Sequence, residues 1–272
     1  MIDDSFFTGS FYSHANECVS GPEIGMTMKK AGSMRFRWNE TNPNRQAFLS
    51  SLAGEDKQIA AVELIHSQTV FAIDSADEVF ECQGDGIITT NKNIIPVITV
   101  ADCMPIFIYE PHTEVFGILH SGWKGTGIVR NAIELAQKKY GSKPENFCVV
   151  MGPHIHDCCY NVDEERAQYF RVNFTPDCVK EILPSTPGYN PTNPYRYRLS
   201  LAKANLSILR EMGINEGSLC VYNDCTCCDS KFGSFRRETM TLPPDTDLET
   251  RQRSFTVQAA WVRFNSELRI KN

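Results

Sequence analysis

The chain has 272 residues, 42% hydrophobic and 22% charged, with 27 basic against 33 acidic side chains and a formal net charge of −6. That composition is globular, excludes disorder over most of the length, and suits one large domain or two intimate ones, each able to bury a core. The acidic balance provides no basic field for gathering phosphate backbones, so nucleic acid is not expected as the main ligand, although a local basic pocket is compatible with it.

The segment from Met1 has no basic stretch ahead of an apolar core. No run reaches the roughly 18 apolar residues of a spanning helix, so the expectation is a cytoplasmic protein without a membrane partner. Eleven cysteines in a long chain, an odd count, read as reduced thiols rather than a disulfide framework. No internal repeat or linker divides the sequence.

In chain order, residues 59–73 are apolar but interrupted at His66-Ser67-Gln68, which predicts two short strands or one bent strand passing a site. Residues 94–100, 106–109 and 115–120 are β-branched and aromatic runs of strand length, with 111–114 as the turn between the last two. Ile128, Val129, Ala132, Ile133, Leu135 and Ala136 then form a stripe at helical spacing, with Thr126 as the expected cap. A strand is expected over 146–151, helices over 163–172 and 201–212, and either element over 254–264. Between the two helices, five prolines and glycines crowd residues 184–196 and predict a surface loop. The alternation is that of an α/β chain.

Three metal-capable residues stand at the ends of apolar runs. His66 interrupts the first, Cys103 follows residues 94–100, and His120 closes the next strand before Ser121-Gly122-Trp123-Lys124-Gly125. Strand ends beside loops are where α/β proteins build sites. Two histidines and a cysteine make an open three-ligand zinc set, with a fourth position for water or substrate and a bound water whose pKa falls to about 7. The separations of 37 and 17 residues are unlike those of a zinc finger, so buried structural histidines and an inert core thiol remain the alternative.

Several motifs together carry a resemblance. Gly84-Asp-Gly-Ile-Ile-Thr89, Val100-Ala-Asp-Cys-Met-Pro105, His120-Ser-Gly-Trp-Lys-Gly125, Gly152-Pro153 with Tyr160-Asn-Val162, and Cys225-Thr226 with Phe235-Arg-Arg237 follow one another as in the laccase-domain proteins, also named multicopper polyphenol oxidases. The chain resembles that family from about residue 44 to its end. The resemblance implies one catalytic domain over residues 1–272, an α/β (α+β) fold of α/β/β/α layers with mixed sheets, and zinc on His66, Cys103 and His120. It also implies phosphorolysis of adenosine, inosine and methylthioadenosine, and hydrolytic deamination of adenosine, with a purine nucleoside and phosphate as small-molecule partners. Three departures are visible: Ser67 stands where the family has glycine, Lys124 where it has arginine, and His154 where it has cysteine. Lys124 keeps the charge but lacks the planar fork that grips phosphate through two bonds.

In such a site Asp85 or Asp102 could shuttle protons, Asp102 being equally readable as a residue that orients a ligand or caps a turn. Lys124, Arg45, Arg236 and the helix N-terminus after Gly125 are the candidates for holding phosphate, against a reading of each charge as solvated surface. Six histidines do not assemble a four-copper laccase, so copper is the less favoured metal and His154 with His156 reads as structural. Cys225-Thr-Cys-Cys228 contains a C-x-x-C, but Cys158-Cys159 is a poor second pair for a zinc ribbon. Residues 122–127 lack the order of a phosphate loop and do not predict ATP binding. A rival reading makes Cys103 a nucleophilic thiolate with His120 as base, giving an amide hydrolase or deamidase similar in layout to the cytotoxic necrotizing factor toxins, or an amidase that edits cell-wall precursors. His66 favours zinc, because a Cys-His dyad does not need it.

Overall fold

The computed structural model describes residues 5–186, 189–243 and 245–265. Met1 and its three successors, and Pro187 and Gly188 of the expected loop, lie outside the described residues. In chain order the first strands are β1 (Phe6–Gly9), β2 (Glu23–Thr27), β3 (Gln58–Ala61), β4 (Val70–Ala72), β5 (Gly86–Thr89), β6 (Ile94–Val100) and β7 (Met104–Glu110). They are followed by β8 (Val115–Ser121), β9 (Cys148–Met151), β10 (Asn161–Val162), β11 (Val179–Glu181), β12 (Tyr197–Leu199), β13 (Leu219–Val221) and β14 (Gln258–Arg263). The helices are α1 (Pro43–Ala53), α2 (Ile128–Tyr140), α3 (Glu164–Asn173), α4 (Leu201–Glu211), α5 (Phe235–Thr239) and α6 (Leu248–Arg253).

Both large sheets are mixed. One runs β1-β2-β14-β6-β3, with β3 and β6 parallel, and the other runs β13-β9-β7-β8-β5-β4, parallel at both edges. Strands β10, β12 and β11 form a small third sheet. Strand parity explains the layering, since alternate side chains face opposite sides. In β6, Ile95 and Val97 pack with Leu52 of α1, whereas Ile98 and Val100 pack with Phe107, Phe116 and Ile118 of the facing sheet. In β7, Ile106 and Ile108 turn the other way, onto Val129 and Ile133 of α2 and Leu209 of α4. The result is the α/β/β/α order of layers. No helix among the described residues is long and apolar enough to cross a membrane.

The interrupted run at residues 59–73 resolves into β3 and β4, and these belong to different sheets. The same holds for β6 and β7. His66 and Cys103 therefore each lie where the chain crosses from one sheet to the other. The strand expected over 146–151 is β9, the two helices are α3 and α4, and the ambiguous stretch 254–264 contributes β14. Thr126 is not the cap of α2. Gly127 holds that position at φ +101°, a left-handed conformation that favours glycine, and Thr126 instead donates its hydroxyl to Gly122 O at 2.9 Å, closing the loop.

Ile118 sits fully buried between the two large sheets. Ile118→Ala should lower unfolding stability by about 2–5 kcal/mol, measured by urea denaturation, with the cavity left behind adding to the lost transfer energy.

Candidate functional site

Parity carries on from the core into the site. The alternation that turns Phe116 and Ile118 between the sheets carries on to His120, paired in register with Pro105. His66 and Cys103 arrive from the two crossovers. The coordinating atoms of His66, Cys103 and His120 lie within 4.8 Å of one another, the two imidazoles edge to face with centroids 4.8 Å apart. His66 is exposed, Cys103 half-buried and His120 buried.

Behind them lies Asp85, fully buried beside β5. Its Oδ1 accepts from the His66 backbone N–H and from His120 Nδ1, both at 2.9 Å. Its Oδ2 accepts from the Ser67 N–H at 2.6 Å and the Ser67 hydroxyl at 2.7 Å. Burial alone would raise the Asp85 carboxyl, but His120 and Ser67 outweigh it and hold it below the usual range. Donation from Nδ1 leaves His120 Nε2 to face the cluster, the arrangement in which a carboxylate orients a metal-binding imidazole. Each carboxylate oxygen is thus occupied behind the cluster. Asp85 positions the site, and the proton-shuttling role considered for it finds no free oxygen.

The thiol and imidazole polarise each other. Burial pushes the Cys103 thiol up, yet His120 and His66 bring it down to about 6. Burial pushes His120 down, while Cys103 and Asp85 raise it to about 9. A metal finds both donors and room here. A Cβ built on Gly122 would stand 2.9 Å from Cys103 Sγ and 3.5 Å from His66 Cδ2, so glycine keeps this face of the three donors open. Two imidazoles and a thiol with one face free fit the open coordination of catalytic zinc.

Asp102 adopts φ +77°, unusual outside glycine, at the second crossover. Its Oδ1 accepts from the Thr226 hydroxyl at 2.7 Å and its Oδ2 from the Arg236 backbone N–H at 2.6 Å. This carboxylate joins the turn before Cys103 to the start of α5, the orienting role rather than the shuttling one.

The cluster opens into a cavity of about 480 Å³, a ligand-sized volume, with Phe36, Leu64, Trp123, Ile155, Phe235 and Phe255 among its apolar walls. Arg236 lines it, with its guanidinium 5.7 Å from the Tyr160 ring and donating to Asn161 O at 3.3 Å. The sequence reading missed Arg166, which lies 4.3 Å over Trp123 and reaches Tyr160 Oη at 3.5 Å. Neither arginine has an ion-pair partner among the described residues. Arg35 and Arg37 also line the cavity, but their charges are engaged by Glu40 and Glu63.

Two expected phosphate residues lie elsewhere. Lys124 is exposed, its ammonium 5.4 Å from the centre of the Trp123 ring, and it is not among the cavity-lining residues. Arg45 is buried in α1 over Phe36 at 4.4 Å and borders a second cavity, since α1 packs through Leu52 on the Ile95 and Val97 face of β6. The start of α2 offers Gly127 rather than a side-chain cap, and only its preceding loop approaches the cluster. His154 and His156 lie tilted at 41° with centroids 4.5 Å apart; burial, then His156, pushes His154 down to about 3, as suits a neutral structural imidazole bonded to Gly152 O.

The family model described as multi-copper polyphenol oxidoreductase laccase matches residues 37–242. Among curated relatives, a Bacillus subtilis (strain 168) protein named purine nucleoside phosphorylase YlmD is 35% identical over 158 residues, 57% of this chain and 54% of that protein. The match thus spans about half the length of that relative. A Geobacillus stearothermophilus protein of the same name is 28% identical over 246 residues, 82% of this chain and 87% of its own. The crystal structure of YlmD from Geobacillus stearothermophilus superposes with a TM-score of 0.71 at 23% identity, covering 91% of this chain and 93% of that one. That of the hypothetical protein YfiH from Bacillus licheniformis gives 0.72 at 23%, over 90% and 93%. These two likenesses support the layered fold.

Two substitutions test the cluster. Gly122→Ala should abolish metal uptake by the His66, Cys103 and His120 set while leaving the circular dichroism spectrum intact, read by metal analysis of the purified variant. Asp85→Asn presents an amide N–H where donors now converge, and should weaken metal affinity there about 10- to 100-fold in competition with a chelator.

Proposed function

Because the chain belongs to the multi-copper polyphenol oxidoreductase laccase family, whose purine nucleoside phosphorylase-named members it resembles over much of its length, we propose that its cavity is a zinc-dependent site for purine nucleoside phosphorolysis. The observation that carries this reading is one cavity holding the open His66, Cys103 and His120 face together with two guanidiniums, Arg166 and Arg236, that have no carboxylate partner among the described residues.

Phosphorolysis forms a bond from a phosphate oxygen to the anomeric carbon as the glycosidic C–N bond breaks, and the departing purine takes up a proton. The dianion must be gripped against the sugar, and planar guanidiniums do this with paired bonds. Arg236, one of the three side chains expected to hold phosphate, keeps that role, and Arg166 takes the place of Arg45 and Lys124. Phe235 offers an exposed apolar face for the purine, and the apolar wall excludes water from the leaving base. Zinc held by His66, Cys103 and His120 would supply a fixed positive charge able to polarise a substrate oxygen or acidify a water. Asp85 holds His66 and His120 in place, and Asp102 holds the Arg236 backbone. Adenosine, inosine and methylthioadenosine are the proposed nucleosides. Deamination of adenosine, in which water oxygen replaces the purine amino group and ammonia leaves, is proposed as a second activity of the same site.

Zinc is favoured over copper by the donors, since one cysteine and two histidines with a free face match catalytic zinc and no methionine stands among the cavity-lining residues as an axial ligand. One observation favours the thiolate alternative: Cys103, His120 and Asp85 stand in the order of a nucleophile, base and orienting carboxylate, with the thiol pulled down to about 6. That alternative would make the protein an amide hydrolase or a cell-wall-precursor editing amidase.

The test incubates the protein with adenosine, inosine or methylthioadenosine, with and without phosphate, and follows free bases and inosine by chromatography. Phosphate-dependent base release that His120→Ala abolishes is the expected result. Arg236→Ala should raise the phosphate KM about 10- to 100-fold, the loss of a charge-assisted contact of about 1.5–3 kcal/mol. Absence of product from zinc-loaded protein would overturn the reading. Amide hydrolysis that survives chelation but not alkylation of Cys103 would establish the thiolate alternative.

A further inference from the structure

The cysteines set aside on spacing come together in space. Cys158 and Cys159 follow a turn in which the Cys159 and Tyr160 N–H groups donate to His156 O at 3.0 and 2.9 Å. Cys225 and Cys228 flank a second turn, in which the Cys228 and Asp229 N–H groups donate to Cys225 O at 3.1 and 2.9 Å. A parallel bridge between His154 and Cys225 docks the two turns, with the Thr226 N–H donating to His154 O at 3.0 Å. The four sulfur atoms all lie within 4.8 Å of one another. Cys158 and Cys159 are 3.7 Å apart, Cys158 and Cys228 3.6 Å, and Cys159 and Cys228 3.3 Å.

Those separations are those of a coordination shell. Thiolates about 2.3 Å from a tetrahedral zinc stand about 3.8 Å from one another. A zinc ribbon was set aside because it requires two separated C-x-x-C pairs, whereas here adjacent cysteines on one turn complete the set begun by a C-x-x-C on the other.

We propose that Cys158, Cys159, Cys225 and Cys228 form a second metal site, a closed tetrathiolate that binds a soft divalent cation of the zinc type in a structural role. All four positions are filled by protein sulfur, so none is left for substrate, which marks a structural rather than a catalytic centre. Two further observations fit such a site. The His156 N–H donates to Cys225 Sγ at 3.4 Å, a dipole directed at sulfur. Four thiolates on a divalent cation carry two net negative charges, and Arg237 wraps the second turn, donating to Thr226 O at 2.6 Å, Cys227 O at 3.0 Å and Asp229 O at 3.1 Å. Arg237 also pairs with Glu238 at 3.3 Å, so what it gives the site is the fixed shape of the turn that carries Cys225 and Cys228.

The metal would also fix part of the cavity. Thr226, inside the second turn, donates to Asp102, and Asp102 in turn accepts the Arg236 N–H. Locking the turn therefore locks the wall that carries Phe235 and Arg236. This proposal does not rest on the nucleoside reading, because metal content and not turnover decides it.

The test uses the full chain with His66→Ala, Cys103→Ala and His120→Ala combined, so that metal bound at the first cluster is removed. Under reducing conditions this variant should retain one equivalent of zinc per chain by elemental analysis. Replacement by Co2+ should give the intense thiolate-to-metal charge transfer and tetrahedral ligand-field bands of four sulfurs, and adding Cys158→Ser with Cys228→Ser should remove both. If the added serines prevent folding, the cobalt spectrum of the first variant decides alone. No metal bound by that variant, or a cobalt spectrum lacking sulfur charge transfer, would overturn the proposal.

Discussion

The buried Asp85 carboxylate is the constraint on which the site depends. It takes no part in the open cavity, yet it accepts two backbone N–H groups, one hydroxyl and one imidazole N–H. An ionised carboxylate withdrawn from water is costly unless each oxygen is satisfied. Here the donors that satisfy it are the groups whose positions matter. The two backbone bonds hold residues 66 and 67 at a crossover where His66 takes φ 58°, and the ring bond fixes the tautomer of His120. One buried charge thereby aligns two side chains that enter on different parts of the chain.

The crossovers explain why strain gathers at this place. A chain leaving one sheet for the other must abandon regular pairing, and it does so at residues 62–69 and 101–103. At each crossover one residue without glycine's freedom sits in the left-handed region, His66 at the first and Asp102 at the second. Such conformations cost on the order of 1–3 kcal/mol each and persist only where the surroundings over-determine them. Carboxylates supply that determination in both cases, Asp85 by accepting the His66 N–H and Asp102 by its own bonds to Thr226 and Arg236. Strain and site coincide at these two crossings, whereas the passage from β5 to β6 at residues 90–93 carries no left-handed residue and contributes nothing to the cluster.

What the sequence revealed follows the same logic. β6, β7 and β8 were legible because both of their faces are buried, which makes each a continuous β-branched and aromatic run, and His66 and His120 because each is a polar residue breaking or ending such a run. Short β1, β10, β11 and β13 carry too few residues for a period to declare itself. That β6 and β7 belong to different sheets was not legible, since nothing in residues 101–103 distinguishes a crossover from a hairpin. Arg166 escaped notice because it belongs to a charged helix, where a lone arginine reads as solvated surface, and only the packing of α3 brings it over Trp123. Arg45 misled for the opposite reason. It lies near the start of the resemblance, but α1 covers the outer face of the five-stranded sheet, on the far side of β6 from the cluster.

The last passage between the large sheets runs from β13 to β14, and it carries what the crossings at His66 and Cys103 lack. Residues 222–257 hold the second cysteine turn, Thr226, Arg237 and the α5 and α6 side of the cavity. This segment contains little regular structure, and few apolar side chains bury it: Cys225 and Phe232 are its buried hydrophobic residues among those described. A long connection of that kind is held by polar bonds or by a crosslink. Arg237 provides the first, gathering the carbonyls of Thr226, Cys227, Asp229 and Phe232 around one guanidinium. The cysteine cluster provides the second, joining this segment to the turn after β9. Between them runs the contact of Thr226 with Asp102, one residue before Cys103. The wall of the cavity and the ligand at its floor are thus set by the same short path of hydrogen bonds.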